Sequence, residues 1–322
     1  MSQSRLVTRL APSPTGELHL GNARTFLINY ALARQNGWEI VLRVEDIDHA
    51  RVRPETVQRA VDDLAWLGIT WHQGPQLQSD NRPAHDEALS KLFENGDVYP
   101  CVCSRADVHN AASAPHASDG AAVYPGTCRA SATSRPTLAR AVEHHAAVRY
   151  RWDQESFGFV DGFAGPQHWN PKQELGDFVV AQNDGTPSYH LAVVVDDLAS
   201  RVTHVVRGDD LLDSVPRQAA LYGALGARDI IPQYFHLPLV VGPDGKRLAK
   251  RHAAELPADT RLARLRTHGV EPERVIGVIA ELCGMGEIDA MTTGEFVERF
   301  CLERLPHSRV AVTKAMISRL AR

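Results

Sequence analysis

The chain has 322 residues, 43% of them hydrophobic, with a mean hydropathy of -0.26 and a formal net charge of -4. This length allows two or three domains with a substantial core, and no apolar run approaches the roughly 18 residues of a membrane span. The N-terminus lacks a charged-then-apolar signal pattern, so we expect a cytoplasmic protein, and the odd count of five cysteines argues against a disulfide framework.

The first motif in the chain is a turn rich in proline and glycine, Arg9–Asn22, between a short apolar strand and a predicted helix at Ala23–Gln35. Gly16 and Gly21 allow the backbone to approach a ligand closely, and the helix start offers N–H groups to an anion. His19 adds a donor that can reach a phosphate. On its own, the pattern fits either an anion site or a structural turn.

Carboxylates follow the next predicted strand, Glu39–Val44. Glu45, Asp46 and Asp48 come directly after it, where open α/β sheets place their ligands. For Asp46 and Asp48, a solvated turn explains the pattern equally well.

The middle of the chain changes character twice. Amphipathic stripes predict helices at Pro54–Leu67 and Pro83–Asn95. Residues 104–123 are small, polar and aperiodic, which is typical of an exposed or mobile loop. Short alternating runs at Val148–Phe163 then indicate a small antiparallel region. We expect this part to be a module inserted into a larger fold.

Regular α/β signals return in the second half. Ser188–Val195 and Val202–Val206 are apolar runs of the kind that form buried strands, and Phe235–Val241 is a further predicted strand. Ser214–Leu225 is predicted to be helical, and short helical stripes such as Val275–Leu282 occupy the C-terminal part. The order predicts an α/β fold with a parallel sheet, interrupted by the inserted module and trailed by a small helical part.

Two distant segments fit together as halves of one phosphate site. His19 and the helix start at Gly21 and Asn22 would meet a polyphosphate from one side, and a turn loaded with cations would meet it from the other. Adenylyl transfer depends mostly on positioning and charge neutralisation, which a lysine on a mobile turn can supply. The alternative interpretation of this turn is a solubilising surface loop. The cations of the turn are Lys246, Arg247, Lys250 and Arg251.

Neither segment is a P-loop or a dinucleotide fingerprint, which argues against a Walker ATPase or a dehydrogenase. Instead, His19–Asn22 resembles the HIGH signature of class I aminoacyl-tRNA synthetases, and Arg247–Arg251 resembles their KMSKS loop. Further blocks, in the same order and within residues 5–255, are similar to the glutamyl branch. They are Arg9–Gly16, Arg43–Asp48, Tyr189–Asp197, Val206–Asp210 and His236–Leu239.

The resemblance implies a glutamate site. Arg9 and Arg207 carry guanidinium groups suited to carboxylates, and in this family they hold the amino acid and select its side chain. Glu45 would hold the ammonium group, with Tyr189 adding a hydroxyl. Two arginines and one glutamate match a ligand with two negative groups and one positive group. The implied glutamate-binding set is Arg9, Ala11, Ser13, Glu45, Tyr189 and Arg207.

The resemblance also implies an ATP site in which His19 and Lys250 are catalytic and Mg²⁺ accompanies the nucleotide. The motifs depart from the family pattern at three places: Asn22 ends the HIGH-like signature, Arg247 replaces the first lysine of KMSKS, and Ala249 replaces its serine. Lys250 is therefore the most securely transferred residue. The implied ATP-binding set is His19, Gly21, Asn22, Arg247 and Lys250.

The distance from the KMSKS-like loop to the chain end is about 70 residues, too few for the anticodon-binding helical domain of glutamyl-tRNA synthetases. The chain thus resembles the glutamyl-Q tRNA(Asp) synthetases. That resemblance implies two steps: glutamate and ATP give glutamyl-adenylate without tRNA, and a hydroxyl of queuosine in the anticodon of tRNA(Asp) then attacks the acyl carbon. We expect a monomer with no membrane contact.

The inserted module carries a possible metal site. Cys101, Cys103 and Cys128 offer three thiolates, and tetrahedral zinc requires a fourth ligand. Spacing alone favours His109 or His116, because imidazole is the commoner ligand. Three reduced thiols without a metal are the alternative.

The resemblance selects a different fourth ligand. Glutamyl-Q synthetases share a Cys-x-Cys, Tyr-x-x-x-Cys arrangement, which Tyr124 and Cys128 match, so the implied structural zinc has no open position. Cys283 and Cys301 are expected in the core. The expected domains are a first catalytic half of a Rossmann-like fold (1–98), the zinc-binding insertion (99–175), the second catalytic half (176–255) and a helical C-terminal region (256–322).

Three other functions compete with this interpretation. A shortened synthetase could charge a tRNA 3′ end, and a relative with an altered KMSKS-like loop could bind tRNA without catalysis. A nucleotidylyltransferase on the same fold is the third, and the combination of Arg9, Glu45 and Arg207 argues against it.

Overall fold

The computed structural model describes residues 5–48, 52–104, 106–108, 123–130, 137–248, 252 and 256–321. Several predictions fall outside this part of the chain: most of the loop 104–123, the alternative ligands His109 and His116, and Ala249, Lys250 and Arg251 of the KMSKS-like loop.

The strands, in chain order, are β1 (Val7–Leu10), β2 (Glu39–Val44), β3 (Gln73–Leu77), β4 (Val98–Cys101), β5 (Ala147–Tyr150), β6 (Phe157–Asp161), β7 (Gly165–Trp169), β8 (Phe178–Ala181), β9 (His204–Gly208), β10 (Gln233–Leu237), β11 (Val240–Val241) and β12 (Val310–Ala311). The helices are α1 (Leu20–Asn36), α2 (Pro54–Trp66), α3 (Arg82–Asn95), α4 (Leu138–Glu143), α5 (Tyr189–Ala199), α6 (Ser214–Ala224), α7 (Leu262–Thr267), α8 (Pro272–Leu282), α9 (Thr293–Arg299) and α10 (Lys314–Ser318).

A five-stranded parallel sheet in the order β10-β9-β1-β2-β3 lies at the centre of the fold. Strands β2 and β3, which follow β1 in the chain, lie on one side of it in the sheet. Strands β9 and β10, from the second half of the chain, lie on its other side. The switch in direction therefore lies between β1 and β9, which is where open α/β sheets bind ligands beyond their carboxyl ends. The predicted α/β class with a parallel sheet is confirmed.

The elements around the N-terminal motif form as their sequences predict. The helix α1 starts directly after His19 and ends at Gly37, whose positive φ of 66° suits a residue without a Cβ. Strand β2 has the predicted bounds and pairs with β1 from Val7 opposite Glu39 onward. The helices predicted near positions 54–67, 83–95, 214–225 and 275–282 are also present.

Of the predicted strands in the second half of the chain, one is a helix and another is divided into two short strands. The run Ser188–Val195 forms the first turns of helix α5 instead of a strand, and it is buried along Leu191–Val195. A fully buried helix and a buried strand give the same apolar pattern, so periodicity could not separate them. The predicted strand Phe235–Val241 is split at Pro238, which has no N–H for a ladder, and β11 pairs with β12 in a separate sheet.

The inserted region is built from antiparallel strands, as predicted. Strands β4, β5 and β8 form one sheet, and β6 and β7 form a hairpin. The hairpin lies against the edge strand β10, where the Gly162 N–H donates to the Tyr234 carbonyl at 2.8 Å. A Cβ at Gly162 would lie only 2.3 Å from the Phe235 ring, so this close approach requires glycine.

The C-terminal helices α8 and α9 pack against α1 and share its apolar core. Helices α8 and α9 bring Val275, Ile279 and Phe296 into that core at 0% exposure. Cys283 is buried as expected, whereas Cys301 is only partly buried. Among the described residues, no helix is long and apolar enough to cross a membrane.

Candidate active site

A cavity of about 140 Å³ opens beyond the carboxyl ends of β1 and β9. A neighbouring cavity of about 520 Å³ shares part of its wall and continues along the turn before α1. The structure thus brings together, from segments up to about 200 residues apart, the predicted residues Arg9, Ala11, Ser13, His19, Gly21, Asn22, Glu45, Tyr189 and Arg207.

A larger cavity of about 720 Å³ lies near α7, the start of α8 and the chain end. Within the described chain, none of the predicted glutamate, ATP or metal residues lines it. Size therefore does not identify the candidate site; convergence of the motif residues does.

The buried cation Arg43 organises one wall of the small cavity. Its Nη1 donates to Asp197 at 2.6 Å and its Nη2 donates to Glu45 at 3.2 Å, while only 1% of its side chain is exposed. Burial opposes its charge, but Asp197, Glu45 and Asp196 outweigh burial and raise the pKa of Arg43. This guanidinium holds Glu45 in place at the cavity edge.

Glu45 stands just past the end of β2, on the side that faces the cavity. Burial raises the pKa of its carboxyl, and Arg43 and Arg9 act in the opposite direction. A ligand cation placed beside Glu45 would stabilise its ionised form further. The residue is therefore suited to an ammonium group.

Arg9 is the next-to-last residue of β1, and its side chain is 4% exposed. Its Nε lies 3.7 Å from Asp197, and no described residue forms a hydrogen bond with that Nε. Asn29 of α1 donates to the Arg9 carbonyl at 2.9 Å and so anchors its backbone. A buried, incompletely satisfied guanidinium next to a cavity can bind an anionic ligand.

Arg207 occupies the equivalent position at the end of β9. Its Nε donates to His236 at 2.9 Å and its Nη2 donates to the Leu211 carbonyl at 3.2 Å. The buried Nη1 has no hydrogen-bond partner among the described residues. Tyr189 lines the same cavity from the start of α5, and burial raises the pKa of its phenol, so it stays a hydroxyl donor.

His19 caps helix α1 at the other end of the cavity. Its Nδ1 accepts from the Gly21 N–H at 3.1 Å, which leaves the proton of the neutral ring on Nε2. Burial, with Arg247 acting in the same direction, lowers the pKa of His19 to about 4. The side chain is thus a neutral donor at a helix N-terminus, a combination suited to a phosphate oxygen.

The residues flanking His19 preserve this arrangement. A Cβ at Gly21 would come within 2.9 Å of the His19 ring, and the Asn22 side chain accepts from the His19 N–H at 3.1 Å. Asn22 therefore closes a capping box, which gives this departure from the HIGH pattern a structural role.

The cationic turn is described only up to Leu248. Arg247, whose side chain is 58% exposed, donates from Nη1 to Asp210 at 2.5 Å. Farther along, the His252 ring lies 2.9 Å from Asp244, and a Cβ at Gly242 would collide with that ring. The predicted catalytic Lys250 lies outside the described residues.

The three predicted cysteine ligands form a cluster. Their sulfurs lie within 4.8 Å of one another, with Cys103 and Cys128 at 3.5 Å. The Tyr124 hydroxyl lies 3.4 Å from the Cys101 sulfur and 3.8 Å from that of Cys103. Thiolates about 2.3 Å from a tetrahedral zinc are separated by distances of this order.

Two influences act on the ligands of the cluster: burial raises the pKa of the Tyr124 phenol and raises that of the Cys103 thiol to about 11, while a cation beside the cluster acts against that shift. The Arg149 Nε lies 3.3 Å from the Cys101 sulfur, and its guanidinium stacks 3.9 Å from the centre of the Tyr124 ring. A cation so placed stabilises a thiolate and a phenolate, the forms that bind a metal. The residues present therefore fit a metal ion held by three sulfurs and one oxygen.

Sequence reasoning missed several residues that hold the site together. Arg43 lay inside a quoted motif without a role, and Asp196 and Asp197 were noted only as the end of an apolar run. Asp196 accepts side-chain hydrogen bonds from Gln78, Asn81 and His85, which lie between the end of β3 and the first turns of α3. A buried acidic pair that ends an apolar helix was the available signal.

Asp46, by contrast, is 5% exposed, so it does not belong to the solvated turn that was the alternative, and it does not line either of the two cavities. Its carboxylate accepts from the N–H and the hydroxyl of Ser79 at 2.8 and 2.6 Å. This bond ties the turn after β2 to the segment after β3.

Comparison with known proteins agrees with these motifs. The family model described as "tRNA synthetases class I (E and Q), catalytic domain" matches residues 5–318. A glutamyl-Q tRNA(Asp) synthetase of Symbiobacterium thermophilum is 44% identical over 98% of both chains. A glutamate–tRNA ligase of Citrifermentans bemidjiense is 36% identical over 96% of this chain and 63% of its own length. The crystal structure of a glutamate tRNA ligase from Elizabethkingia meningosepticum, in complex with its amino acid, superimposes with a TM-score of 0.81 at 25% identity, covering 98% of this chain and 69% of that one.

Proposed function

Because this chain belongs to the class I tRNA synthetases for glutamate and glutamine, we propose that it activates glutamate with ATP and passes the glutamyl group to a queuosine base of tRNA(Asp). Membership in this family makes it an ATP-dependent ligase. The amino acid and the acceptor are the parts of the proposal that experiment must decide.

The charge pattern of the cavity carries the assignment of glutamate. The two buried guanidinium groups of Arg9 and Arg207 face one carboxylate, Glu45, around about 140 Å³. Glutamate has two carboxylates and one ammonium, so each group finds an opposite charge. Glutamine would leave Arg207 facing a neutral amide, which binds a desolvated guanidinium more weakly.

The first step forms the adenylate. An oxygen of the glutamate α-carboxylate attacks the α-phosphorus of ATP, the bond to the β-phosphate oxygen breaks, and pyrophosphate leaves. The His19 Nε2 proton and the N–H groups at the start of α1 would stabilise charge on the phosphates, and Arg247 and Lys250 would approach from the cationic turn. Mg²⁺ bound with ATP would neutralise further phosphate charge.

The second step transfers the acyl group. A hydroxyl of the modified base attacks the acyl carbon, its proton is lost, and AMP leaves with the bonding electrons. Relatives named glutamyl-Q tRNA(Asp) synthetase support this acceptor, because they match at 43–44% identity, against 36% for those named glutamate–tRNA ligase.

The experiment measures exchange of pyrophosphate into ATP, dependent on glutamate, with no tRNA present. The proposal expects exchange with glutamate and little with glutamine. Radiolabelled glutamate should then enter tRNA(Asp) that contains queuosine, but not the same tRNA without it. Labelled tRNA(Glu), or exchange that appears only after tRNA is added, would instead favour charging of a 3′ end. No exchange under any condition would favour a non-catalytic relative.

We also propose that the cysteine cluster binds one structural zinc through Cys101, Cys103, Tyr124 and Cys128. With four protein ligands the ion has no open position, so it would brace the inserted region without taking part in the reaction. Purified protein should contain about one zinc per chain by elemental analysis, and Cys128→Ser should lose it. Wild-type protein that is fully folded without zinc would contradict this assignment.

A further inference from the structure

We propose that Asp161 and His236 are positioning residues that make Arg207 selective for a side-chain carboxylate. The inference rests on the proposed function of the cavity as a glutamate site. Neither residue lines that cavity, and each acts through the next: Asp161 orients His236, and His236 orients Arg207.

The bond between Arg207 and His236 determines where the proton of the imidazole lies. The Nε of Arg207 is 2.9 Å from Nε2 of His236. A guanidinium nitrogen can only donate, so Nε2 must carry a lone pair. The neutral ring consequently has its proton on Nδ1.

Asp161 stabilises that proton position. One of its oxygens, Oδ2, lies 2.6 Å from Nδ1 of His236. The other, Oδ1, accepts backbone N–H groups from His236, Phe163 and Ala164 at 3.0, 2.9 and 2.8 Å. Because Oδ1 already accepts three hydrogen bonds, Oδ2 is the oxygen that accepts the hydrogen bond from the protonated Nδ1.

The consequence is a guanidinium held on three sides. Nε of Arg207 donates to His236, and its Nη2 donates to the Leu211 carbonyl. The centre of the Tyr234 ring lies 5.1 Å from the central carbon of the guanidinium. Among the described residues, Nη1 alone has no hydrogen-bond partner, and Arg207 lines the cavity. The relay therefore turns one nitrogen of a fixed cation toward the ligand, which a free arginine side chain would not do.

Asp161 reaches this position only because the β6–β7 hairpin lies on β10. It ends β6, 75 residues before His236 in the chain, and is 2% exposed. The Gly162 N–H bond to Tyr234 keeps the hairpin turn in contact with the strand. The inserted region thus contributes to amino-acid selection.

The decisive variant is Asp161→Asn. The three backbone N–H groups select the amide oxygen, so the amide NH₂ points at Nδ1 of His236. The ring must then accept a hydrogen bond at Nδ1 and carry its proton on Nε2. Two donors, Nε2 of His236 and Nε of Arg207, would face each other, so the guanidinium is displaced. We expect the KM for glutamate in pyrophosphate exchange to rise about 10- to 100-fold, with the KM for ATP and the kcat little changed.

Two further readouts separate positioning from a general structural effect. Nitrogen-15 NMR of the histidine rings should show that the protonated nitrogen of His236 changes from Nδ1 to Nε2 in Asp161→Asn, with His236→Gln assigning the signal. The double variant Asp161→Asn with His236→Gln should regain glutamate affinity relative to Asp161→Asn, because the glutamine amide oxygen can accept from Arg207 and needs no particular tautomer.

Asp177→Asn is the matched control. Asp177 is another buried aspartate, which accepts from the Trp152 N–H at 2.7 Å and from the Tyr99 hydroxyl at 2.6 Å, away from the cavity. It should lower the Tm without changing the KM for glutamate. If Asp161→Asn does not fold, the pair His236→Leu and His236→Gln replaces it, and only the leucine variant should raise that KM.

A KM for glutamate within about twofold of wild type in Asp161→Asn, or equal values in the leucine and glutamine variants, would overturn the relay. This result differs from failure of the proposed function, which would appear as wild-type protein without glutamate-dependent exchange.

Discussion

The two sides of the candidate site are built in opposite ways. On the side proposed for glutamate, Arg207 is 5% exposed and donates a hydrogen bond to the buried His236. On the side proposed for phosphate, the Arg247 side chain is 58% exposed and contacts Asp210 at the surface. Selection of a small ligand requires charges fixed in a dry environment, whereas a turn that closes over a polyphosphate must be able to move.

This contrast predicts that the two sides fail differently when a cation is removed. Loss of a cation from the buried wall should reduce stability, because its partners remain buried and unpaired. Loss of a cation from the turn should leave stability nearly unchanged and reduce the rate.

The largest effect should follow Arg43→Met. Asp197 and Glu45 would lose their shared buried cation, so we expect the free energy of unfolding to fall by about 3–5 kcal/mol. Urea unfolding measures this change. Arg247→Met is the matched control on the exposed side, with an expected loss of less than about 1 kcal/mol. Similar losses of unfolding free energy in the two variants would show that the two sides of the site do not differ in this way.

A smaller effect, on rate alone, should follow Lys250→Ala. Removing a charge-assisted contact of about 1.5–3 kcal/mol should slow adenylate formation by more than about tenfold. Single-turnover formation of the adenylate measures the rate, and the Tm should match that of wild type. Lys172→Ala provides the control, because Lys172 is an exposed lysine that pairs with Glu155 at 3.2 Å and lines neither cavity. An unchanged rate in Lys250→Ala would mean that this turn does not approach the phosphates.

The smallest effect concerns His19, which lies where the two sides meet. The pKa of His19 in the folded protein is about 4, below the ordinary histidine value of 6.5, so the unfolded chain binds more protons between these two pH values. Stability should therefore fall as the pH decreases from 6.5 toward 4. The contribution of His19 should be about 1 kcal/mol between pH 6.5 and 5.5.

Urea unfolding of wild type and His19→Asn across that range isolates this contribution. Asparagine caps a helix without titrating, so the variant should have a shallower dependence on pH. If the free energies of unfolding of the two proteins change with pH in parallel, His19 is not the titrating group, and burial and Arg247 do not lower its pKa.

Much of the fold and of the site was predictable from local sequence. The capping residue His19, the glycine after α1 and the short, mostly apolar run of β2 act over a few residues, so their elements formed as expected. The motif residues Arg9, Glu45 and Arg207 were identified through the family resemblance, and the structure places each of them near the carboxyl end of a strand, where they line one cavity.

The sequence by itself determined the class of fold, the strand ends that carry the charged residues and the ligands available for a metal. Only the tertiary structure decided that Ser188–Val195 is a helix, that Arg43 joins Glu45 to Asp197, and that Asp161 reaches His236 from a hairpin. The physical reason is range. Hydrophobic periodicity and capping depend on neighbours in the chain, whereas burial of a charge and the position of an imidazole proton depend on groups that meet only when distant segments pack together.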